Sequence, residues 1–291
     1  SRMEESRNFV PGGSRTNAQY QLDAMGTIDR NIYGTLQTRG VTPAPRTDDA
    51  EFLRRVTLDL TGRIPTPERV TQFLADSRTN KRELLVDELL AKPEWIDKWT
   101  LFYGDLFKNN SVNTNIRREG EGVAAFYNWI YTSLQSGKPY NTMATELITA
   151  TGANSYTQGE LNFLPGSFQP GVPAQDTYDQ SAVDTVRAFL GLGHLNCILC
   201  HNGRGHLDTL SLWGKRTVRS QGWGMASFFS RTAMTRTAVD AQAAVPYYWS
   251  VGPNPNARTD YPLNTTTGNR PARQPIGTQT TVPTTSSSLA L

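Results

Sequence analysis

The sequence has little of several features that would place a protein in a class at once. Its 291 residues include two cysteines and three histidines, and 29 Lys and Arg residues against 26 Asp and Glu leave a net charge of only +3. The cationic residues are scattered, so the sequence lacks the basic footprint of a nucleic-acid-binding protein. No apolar run approaches the ~18 residues that a membrane-spanning helix needs. We therefore expect no nucleic-acid partner and no transmembrane segment.

Familiar catalytic motifs are also missing. Nothing resembles a Ser/His/Asp triad, a phosphate-binding loop or a pair of carboxylates placed for hydrolysis. The first residues, Ser1-Arg2-Met3-Glu4-Glu5, are polar and do not form a secretory signal peptide. What remains to indicate a function is the placing of the two cysteines.

Both cysteines lie in one motif, Cys197-Ile198-Leu199-Cys200-His201. Two cysteines three residues apart and followed by histidine form the attachment pattern of c-type haem. On one helical turn, each thiol can form a thioether to a haem vinyl group, and the histidine can direct its imidazole to the iron. The motif therefore predicts one covalently bound haem c, held by Cys197, Cys200 and His201.

Two other uses of these thiols stay open. A zinc site would need a fourth donor beside Cys197, Cys200 and His201, which His206 or His194 could supply. A redox dithiol is expected beside a strand of a βαβ unit, and the sequence around the motif shows no such pattern.

The ligand on the second face of the haem iron has three candidates. Met225 ranks first because the glycines of Gly222-Trp-Gly-Met-Ala would permit close approach to a macrocycle. His206 ranks second, because the five residues after His201 can just span the ~12 Å around a porphyrin edge. His194 ranks third, since it would have to fold back over the same edge. An open second face is the alternative to all three.

Apolar periodicity and capping residues predict a mainly α protein. We expect a single helical domain over 19–235, built around the haem, with a long extended N-terminal arm at 1–18. Residues 236–291 are expected to form an extended C-terminal arm or the start of a following domain. Within the helical domain, helices are predicted at Gln19–Gln37, 51–60, from Thr66, at 81–91, from Pro93, and at 123–134, 139–150 and 178–190, with a long loop over 152–176.

Aromatic residues concentrate on one predicted helix and shortly after the haem motif. They are expected to be largely buried between helices, as core rather than haem-lining residues. These residues are Trp95, Trp99, Phe102, Phe228 and Phe229.

Several stretches taken together carry a family resemblance. The run Asp49-Ala-Glu-Phe-Leu-Arg-Arg-Val-Thr-Leu-Asp-Leu-Thr-Gly-Arg-Ile-Pro-Thr-Pro-Glu, with Lys81-Arg82 after it, resembles the opening of the planctomycete-type cytochrome domain of unknown function. Later stretches match in order: Lys138-Pro-Tyr, Glu146-Leu-Ile-Thr-Ala-Thr-Gly, Arg187-Ala-Phe-Leu-Gly, the haem motif and Ala226-Ser-Phe-Phe. The resemblance covers about residues 20–235. Many members follow the motif with His-Pro, whereas this chain continues Asn202-Gly-Arg-Gly-His206-Leu, similar to an acidobacterial branch.

The resemblance implies a secreted haem protein and supplies no reaction. We expect an exported, processed chain, in the periplasm, on the outer surface or outside the cell, that transfers electrons as a c-type cytochrome. Its partners are expected to be redox proteins, in a homo- or hetero-oligomeric assembly or filament whose contacts the two arms provide. The alternatives are a peroxidase-like haem enzyme with an open distal site, and a structural subunit in which haem is secondary.

Overall fold

Local sequence signals set the ends of the first helices. The computed structural model describes residues 26–44, 46–111, 118–240 and 246–255, and is mainly helical there, as predicted. The first helices are α1 Thr27–Thr38, α2 Asp49–Thr61, α3 Pro67–Ala75 and α4 Lys81–Leu90. Asp48 Oδ1 accepts the amide hydrogen of Glu51 at 2.8 Å, and Thr66 caps α3 with Pro67 in its first turn. Gly62, at φ +70°, ends α2 one residue after the predicted end at residue 60.

The described residues divide into two compact units, and both contain part of the predicted 19–235 domain. Unit one holds residues up to Asp59 and Arg63–Asp87, and unit two holds Leu60–Gly62 and the residues from Glu88 onward. In unit one, Leu53, Phe73 and Leu85 are buried. The helix predicted at Gln19–Gln37 is observed as α1, with no buried residue; Leu22 and Met25 of its predicted apolar face lie outside the described residues.

Unit two contains the longer helices and a two-stranded sheet. Its elements are α5 Pro93–Leu106, α6 Gly120–Gln135, α7 Tyr140–Thr149, two 3₁₀ helices at Gly159–Asn162 and Leu164–Ser167, α8 Ala174–Leu190, α9 Leu195–Ile198, α10 Leu212–Arg216, α11 Arg219–Ser227, a 3₁₀ helix at Phe228–Arg231, β1 Thr232–Ala238 and β2 Tyr247–Pro253. None of the described helices is both long and apolar enough to cross a membrane.

The sheet shows that part of the predicted C-terminal arm belongs to unit two. β1 and β2 pair antiparallel, with Thr232 opposite Pro253, and the boundary predicted at residue 235 falls inside β1. Trp249 and Val251 of β2 are buried. Val251 also exchanges two backbone hydrogen bonds with Gly152, at 2.8 and 2.9 Å. The rest of the two arms, at 1–18 and 256–291, lies outside the described residues.

The predicted burial of the aromatic residues is confirmed for four of the five. Phe229 is fully buried and Trp95, Trp99 and Phe228 are mostly buried, but the prediction was wrong for Phe102, which is 51% exposed. The predicted loop over 152–176 instead supplies core residues from its two 3₁₀ helices, Leu161, Phe163 and Leu164.

A buried arginine joins the end of α5 to the start of α6. Arg118 is 3% exposed and donates from its guanidinium to the backbone carbonyls of Lys108, Asn110 and Asn162. Burial lowers the pKa of Arg118 to about 10, which leaves it protonated at neutral pH. The adjoining Lys108 side chain pairs with the buried carboxylate of Asp184 on α8.

Asp184 in turn holds α8, the helix that leads into the cysteine motif. Its carboxylate accepts from Ser167 Oγ and Gln180 Nε2, both at 2.9 Å, besides the Lys108 ammonium. Three donors satisfy this buried carboxylate, so the network anchors the middle of α8.

Candidate functional site: the cysteine–histidine turn

A left-handed glycine redirects the chain from α8 into the cysteine motif. Gly191 ends α8 at φ +66°, and the amide of Leu192 donates to the carbonyl of Val186 at 3.2 Å. This is a glycine C-cap, which other residues adopt at a cost. Gly193 follows closely, but a Cβ added there would meet no atom within 4 Å, so the turn depends on Gly191.

Short helix α9 presents two different faces. Leu195, Ile198 and Leu199 are buried and lie against α11, where a Cβ on Gly222 would come within 3.2 Å of Ile198 Cγ2. The cysteines lie off this face: Cys197 is half-buried, Cys200 is exposed, and both are free thiols. The packing therefore fixes the backbone of the motif, with Cys197 at the edge of the core and Cys200 exposed.

The two cysteines and His201 share one helical turn. The amides of Cys200 and His201 both donate to the carbonyl of Cys197, at 3.1 and 3.2 Å. The turn is the arrangement predicted from the spacing, with the thiols one turn apart and the imidazole directly after the second.

The imidazole of His201 is held in one tautomer. Its Nδ1 lies 2.9 Å from the backbone oxygen of Asn202. Because a carbonyl oxygen only accepts, Nδ1 carries the hydrogen in this contact, and in the neutral ring Nε2 then keeps its lone pair. Metal-ligating histidines are oriented in this way by a backbone carbonyl, which fixes the ring and makes the other nitrogen the ligand.

His206 lies beside His201, on the same loop. The two ring centroids are 4.2 Å apart with an interplanar angle of 37°. Two nitrogens on opposite sides of a metal stand ~4 Å apart, from metal–nitrogen bonds of ~2 Å each, and their ring centres stand further apart still. As an opposite ligand, His206 would have to leave this contact, so its assignment stays a prediction.

Met225 lies on α11 and lines an apolar cavity of about 210 Å³ together with Val186, Leu195 and Trp213. The cavity adjoins α9 through Leu195, but neither cysteine nor His201 lines it. His194 is half-buried and directly precedes α9. The structure thus brings His201 and His206 together and places Met225 behind the buried face of the motif, which leaves the ranking of the second ligand a prediction.

The loop after the motif closes onto α10 and α11 through residues whose role the sequence did not reveal. The amide of Gly203 donates to the carbonyl of Thr217 at 3.0 Å, and a Cβ on Gly203 would lie 1.5 Å from the oxygen of Gly214. Asn202 Oδ1 accepts the amide hydrogen of Arg219, the first residue of α11, at 2.9 Å. Asn202 therefore orients His201 through its backbone and caps α11 through its side chain.

The donor set of this turn fits a covalently held haem. Two free thiols on one turn and an imidazole with Nε2 available are the groups that such a haem requires. The zinc alternative gains no support, because within the described ranges no three His, Cys, Asp or Glu side chains are placed to hold one metal ion.

A protein-family model matches residues 27–209: PSCyt2, described as a protein of unknown function (DUF1549). The match covers more than half of the 291 residues; it includes the cysteine motif and His206, and Met225 lies beyond it. The family named from the sequence resemblance is confirmed at this level. No curated protein and no solved structure matches the chain.

Proposed function

We propose that this chain, which belongs to the PSCyt2 family of proteins of unknown function, is an extracytoplasmic c-type cytochrome that transfers electrons. The observation that carries the proposal is the His201 ring, whose Nδ1–H donates to the Asn202 carbonyl and leaves Nε2 as a ligand one residue after Cys200. A histidine held in this way beside two free thiols on one turn is the donor set of a haem attachment site.

Each residue of the turn has one role in this proposal. Cys197 and Cys200 hold the haem as thioethers, and His201 Nε2 binds its iron. The bound haem supplies a one-electron change of its iron. The buried Leu195, Ile198 and Leu199 hold the turn on α11, so they would support the spacing of the two sulfur atoms and the imidazole.

The surface around the turn indicates the charge of the redox partner. Residues 195–219 carry Arg204, Lys215, Arg216 and Arg219 against the single carboxylate of Asp208. Arg204, Lys215 and Arg216 are exposed, and none of them forms a salt bridge among the described residues. Contacts of Gly203 with Thr217 and Gly214 place the backbone that carries Lys215 and Arg216 next to the loop that begins at His201. We expect a partner with an acidic face.

Export follows from the cofactor, because covalent attachment takes place outside the inner membrane. The periplasm, the outer surface or the extracellular space is therefore the proposed location. A single haem passes electrons only to a nearby acceptor, so the proposal includes an assembly or at least a docked redox partner.

The decisive experiment is production of the chain in a bacterial periplasm together with haem-attachment machinery. Haem should stay on the protein through acid–acetone extraction and stain on a denaturing gel, and Cys197→Ala or Cys200→Ala should abolish the staining. Stoichiometric zinc in place of haem, or haem that extracts freely, would show the proposal to be wrong.

Optical spectra of both redox states then identify the second ligand. Met225→Ala and His206→Ala should each be compared with the unchanged chain. The variant that turns a six-coordinate into a five-coordinate spectrum removes the ligand, and a five-coordinate spectrum of the unchanged chain shows an open second face.

A further inference from the structure

A second concave site lies in unit two, between α5 and α6. It encloses about 470 Å³, within the range of pockets that hold small organic ligands. It shares no residue with the cysteine–histidine turn. Its wall combines hydrogen-bonding side chains with apolar ones: Thr100, Asp105, Asn109 and Tyr127 with Leu101 and Val123.

Thr100 has a buried hydroxyl without a partner. The residue is 1% exposed, yet its Oγ1 makes no hydrogen bond. Other helical threonines return their hydroxyl to the carbonyl one turn earlier, as Thr57 does to Leu53 at 2.7 Å and Thr132 to Asn128 at 2.8 Å. A buried hydroxyl left unpaired is costly, and this one lies on a residue that lines the cleft.

Asn109 supplies a second unpartnered atom in the same wall. Its Nδ2 donates to the carbonyl of Val123 at 3.0 Å, and because that carbonyl only accepts, the amide cannot be flipped. The other end, Oδ1, is therefore directed away from Val123; it is buried and has no hydrogen-bond partner. Oδ1 is an acceptor, so a ligand that pairs with it must bring a donor.

The rest of the wall narrows the chemistry of that ligand. Asp105 is an exposed acceptor, and the half-exposed ring of Tyr127 gives an apolar surface with a hydroxyl at its edge. Burial, and then the charges of Asp97 and Tyr131, raise the pKa of Tyr127, so its hydroxyl is protonated at neutral pH and can donate. Leu101, 65% exposed, adds a second apolar surface.

We propose that this cleft binds a neutral sugar. A pyranose ring carries several hydroxyl donors around apolar C–H faces, which matches acceptors at Asn109 and Asp105 beside Tyr127 and Leu101. Thr100 Oγ1 is covered in the free protein, so a bound sugar must displace part of the wall to reach it; the hydroxyl can then pair in either direction, since it both donates and accepts. The competing ligand is an organic amine, which also brings donors but needs negative charges around its ammonium groups. Asp105 is the only charged side chain among the described residues that line the cleft, so a sugar fits the cleft better than a diamine.

The test is titration calorimetry of the full chain with cellobiose, maltose, xylobiose and lactose, and with putrescine as the amine probe. We expect at least one disaccharide to bind and putrescine not to bind. Thr100→Val removes the hydroxyl at constant shape and should weaken sugar binding about tenfold. Because that hydroxyl has no partner in the protein, the variant should unfold at the same or a higher urea concentration than the unchanged chain.

Thr57→Val is the matched control, because the hydroxyl of Thr57 does have a partner, the carbonyl of Leu53. This variant should unfold at a lower urea concentration than the unchanged chain and bind the sugar equally well. A second variant, Gly104→Leu, fills the cleft. Gly104 lies inside α5 and a Cβ there would meet only Asn109 Cβ, at 3.9 Å, so the helix tolerates the change while sugar binding should be lost. Gly34→Leu, in α1 where a Cβ meets no atom within 4 Å, is its control.

Three results would overturn the proposal: no disaccharide binds, putrescine binds in their place, or a disaccharide binds equally well to Thr100→Val and Gly104→Leu. All readouts are independent of haem, so failure here leaves the proposed electron-transfer function untouched.

Discussion

At the scale of single residues, Asn202 accepts two hydrogen bonds, one through its backbone and one through its side chain. Its carbonyl accepts the Nδ1 hydrogen of His201, and its side chain accepts the amide hydrogen of Arg219. The side-chain contact links the loop that holds His201 to the first residue of α11.

Asn202→Ala separates the two hydrogen bonds. The alanine keeps the carbonyl that accepts from His201 and removes the acceptor for the Arg219 amide, which leaves that amide unpaired at the start of α11. We expect a loss of about 1 kcal/mol in the free energy of unfolding, as for a lost helix cap, measured by urea denaturation. The haem spectrum of the proposed cytochrome should be unchanged. Asn196→Ala, an exposed position on α9, is the control; an equal effect of both would contradict the capping role.

Gly203 is the residue where backbones approach most closely near the site. Gly203→Ala would place a Cβ 1.5 Å from the oxygen of Gly214, a backbone atom that cannot rotate away. We expect a loss of about 1–3 kcal/mol, the usual cost of overpacking, measured as a lowered urea midpoint. Gly193→Ala, where a Cβ meets no atom within 4 Å, should be neutral. Equal midpoints for both variants would show that the loop moves away from α10 freely.

At the scale of elements, local signals predicted the helices better than their partners. Asp48, Thr66, Pro67 and Gly62 mark helix ends through hydrogen bonds and dihedral limits that act within a few residues. Burial depends on non-local contacts instead. Helix α5 is aromatic on several sides, so periodicity could not tell which side is covered, and its one fully buried residue is a threonine, Thr100.

At the cysteine–histidine turn, too, the sequence predicted what depends on local structure and not what depends on distant contacts. The spacing of Cys197, Cys200 and His201 predicted their shared turn, because a helical turn is a local structure. The tautomer of His201 and the stack with His206 could not be predicted from spacing, since they depend on the path of the loop. That path is set by Gly203 against Gly214, two glycines eleven positions apart whose lack of side chains is the only signal in the sequence.

Helices α2 and α4 are joined in unit one by a carboxylate shared between two cations. Asp49 accepts from Arg82 Nε at 2.8 Å and pairs with Lys81 Nζ at 2.7 Å, and Arg82 also reaches the carbonyl of Thr47. This contact gives a physical reason for Asp49 and Lys81-Arg82 to recur together in the resemblance. The hydrogen bonds from Lys81 and then Arg82 hold the pKa of Asp49 below its ordinary value of 3.8.

Asp49→Asn should reveal this link through its pH dependence. A carboxyl whose pKa is lowered on folding stabilises the protein fully above its unfolded value and loses that effect as the pH falls through the folded value. The variant should therefore be less stable than the unchanged chain at neutral pH. The difference should shrink below pH 3.8 and approach zero as Asp49 is protonated.

Urea denaturation at pH 7, 5, 4 and 3 measures this difference. Asp87→Asn is the control, because Asp87 is exposed on α4 and has no partner among the described residues. A difference between Asp49→Asn and the unchanged chain that stays constant over the whole range would contradict the ion pair.

At the scale of the whole molecule, the net charge is not spread evenly. The chain carries +3 in total, and residues 195–219 alone hold four cations against one carboxylate. The remaining residues are therefore neutral on balance, so the excess positive charge is concentrated in the segment that contains the cysteine–histidine turn. Along the sequence these cations look as scattered as the others, but contacts of the 201–207 loop with α10 and α11 show that they share the turn's surroundings.

This asymmetry predicts a charge preference in electron transfer, if the proposed haem is present. The reduced protein should be oxidised faster by anionic hexacyanoferrate(III) than driving force alone allows, and the advantage should decline as salt is added. Reversal of two exposed charges, Lys215→Glu with Arg216→Glu, should slow this oxidation about tenfold at low ionic strength. The same variant should speed oxidation by a cationic tris(phenanthroline)cobalt(III) complex. Stopped-flow absorbance at several salt concentrations measures both rates. The control is Arg54→Glu with Arg55→Glu in α2, which changes the net charge by the same amount outside this segment. Equal effects of the two double variants would show that the rate depends on the total charge of the protein, and not on the position of the charges beside His201.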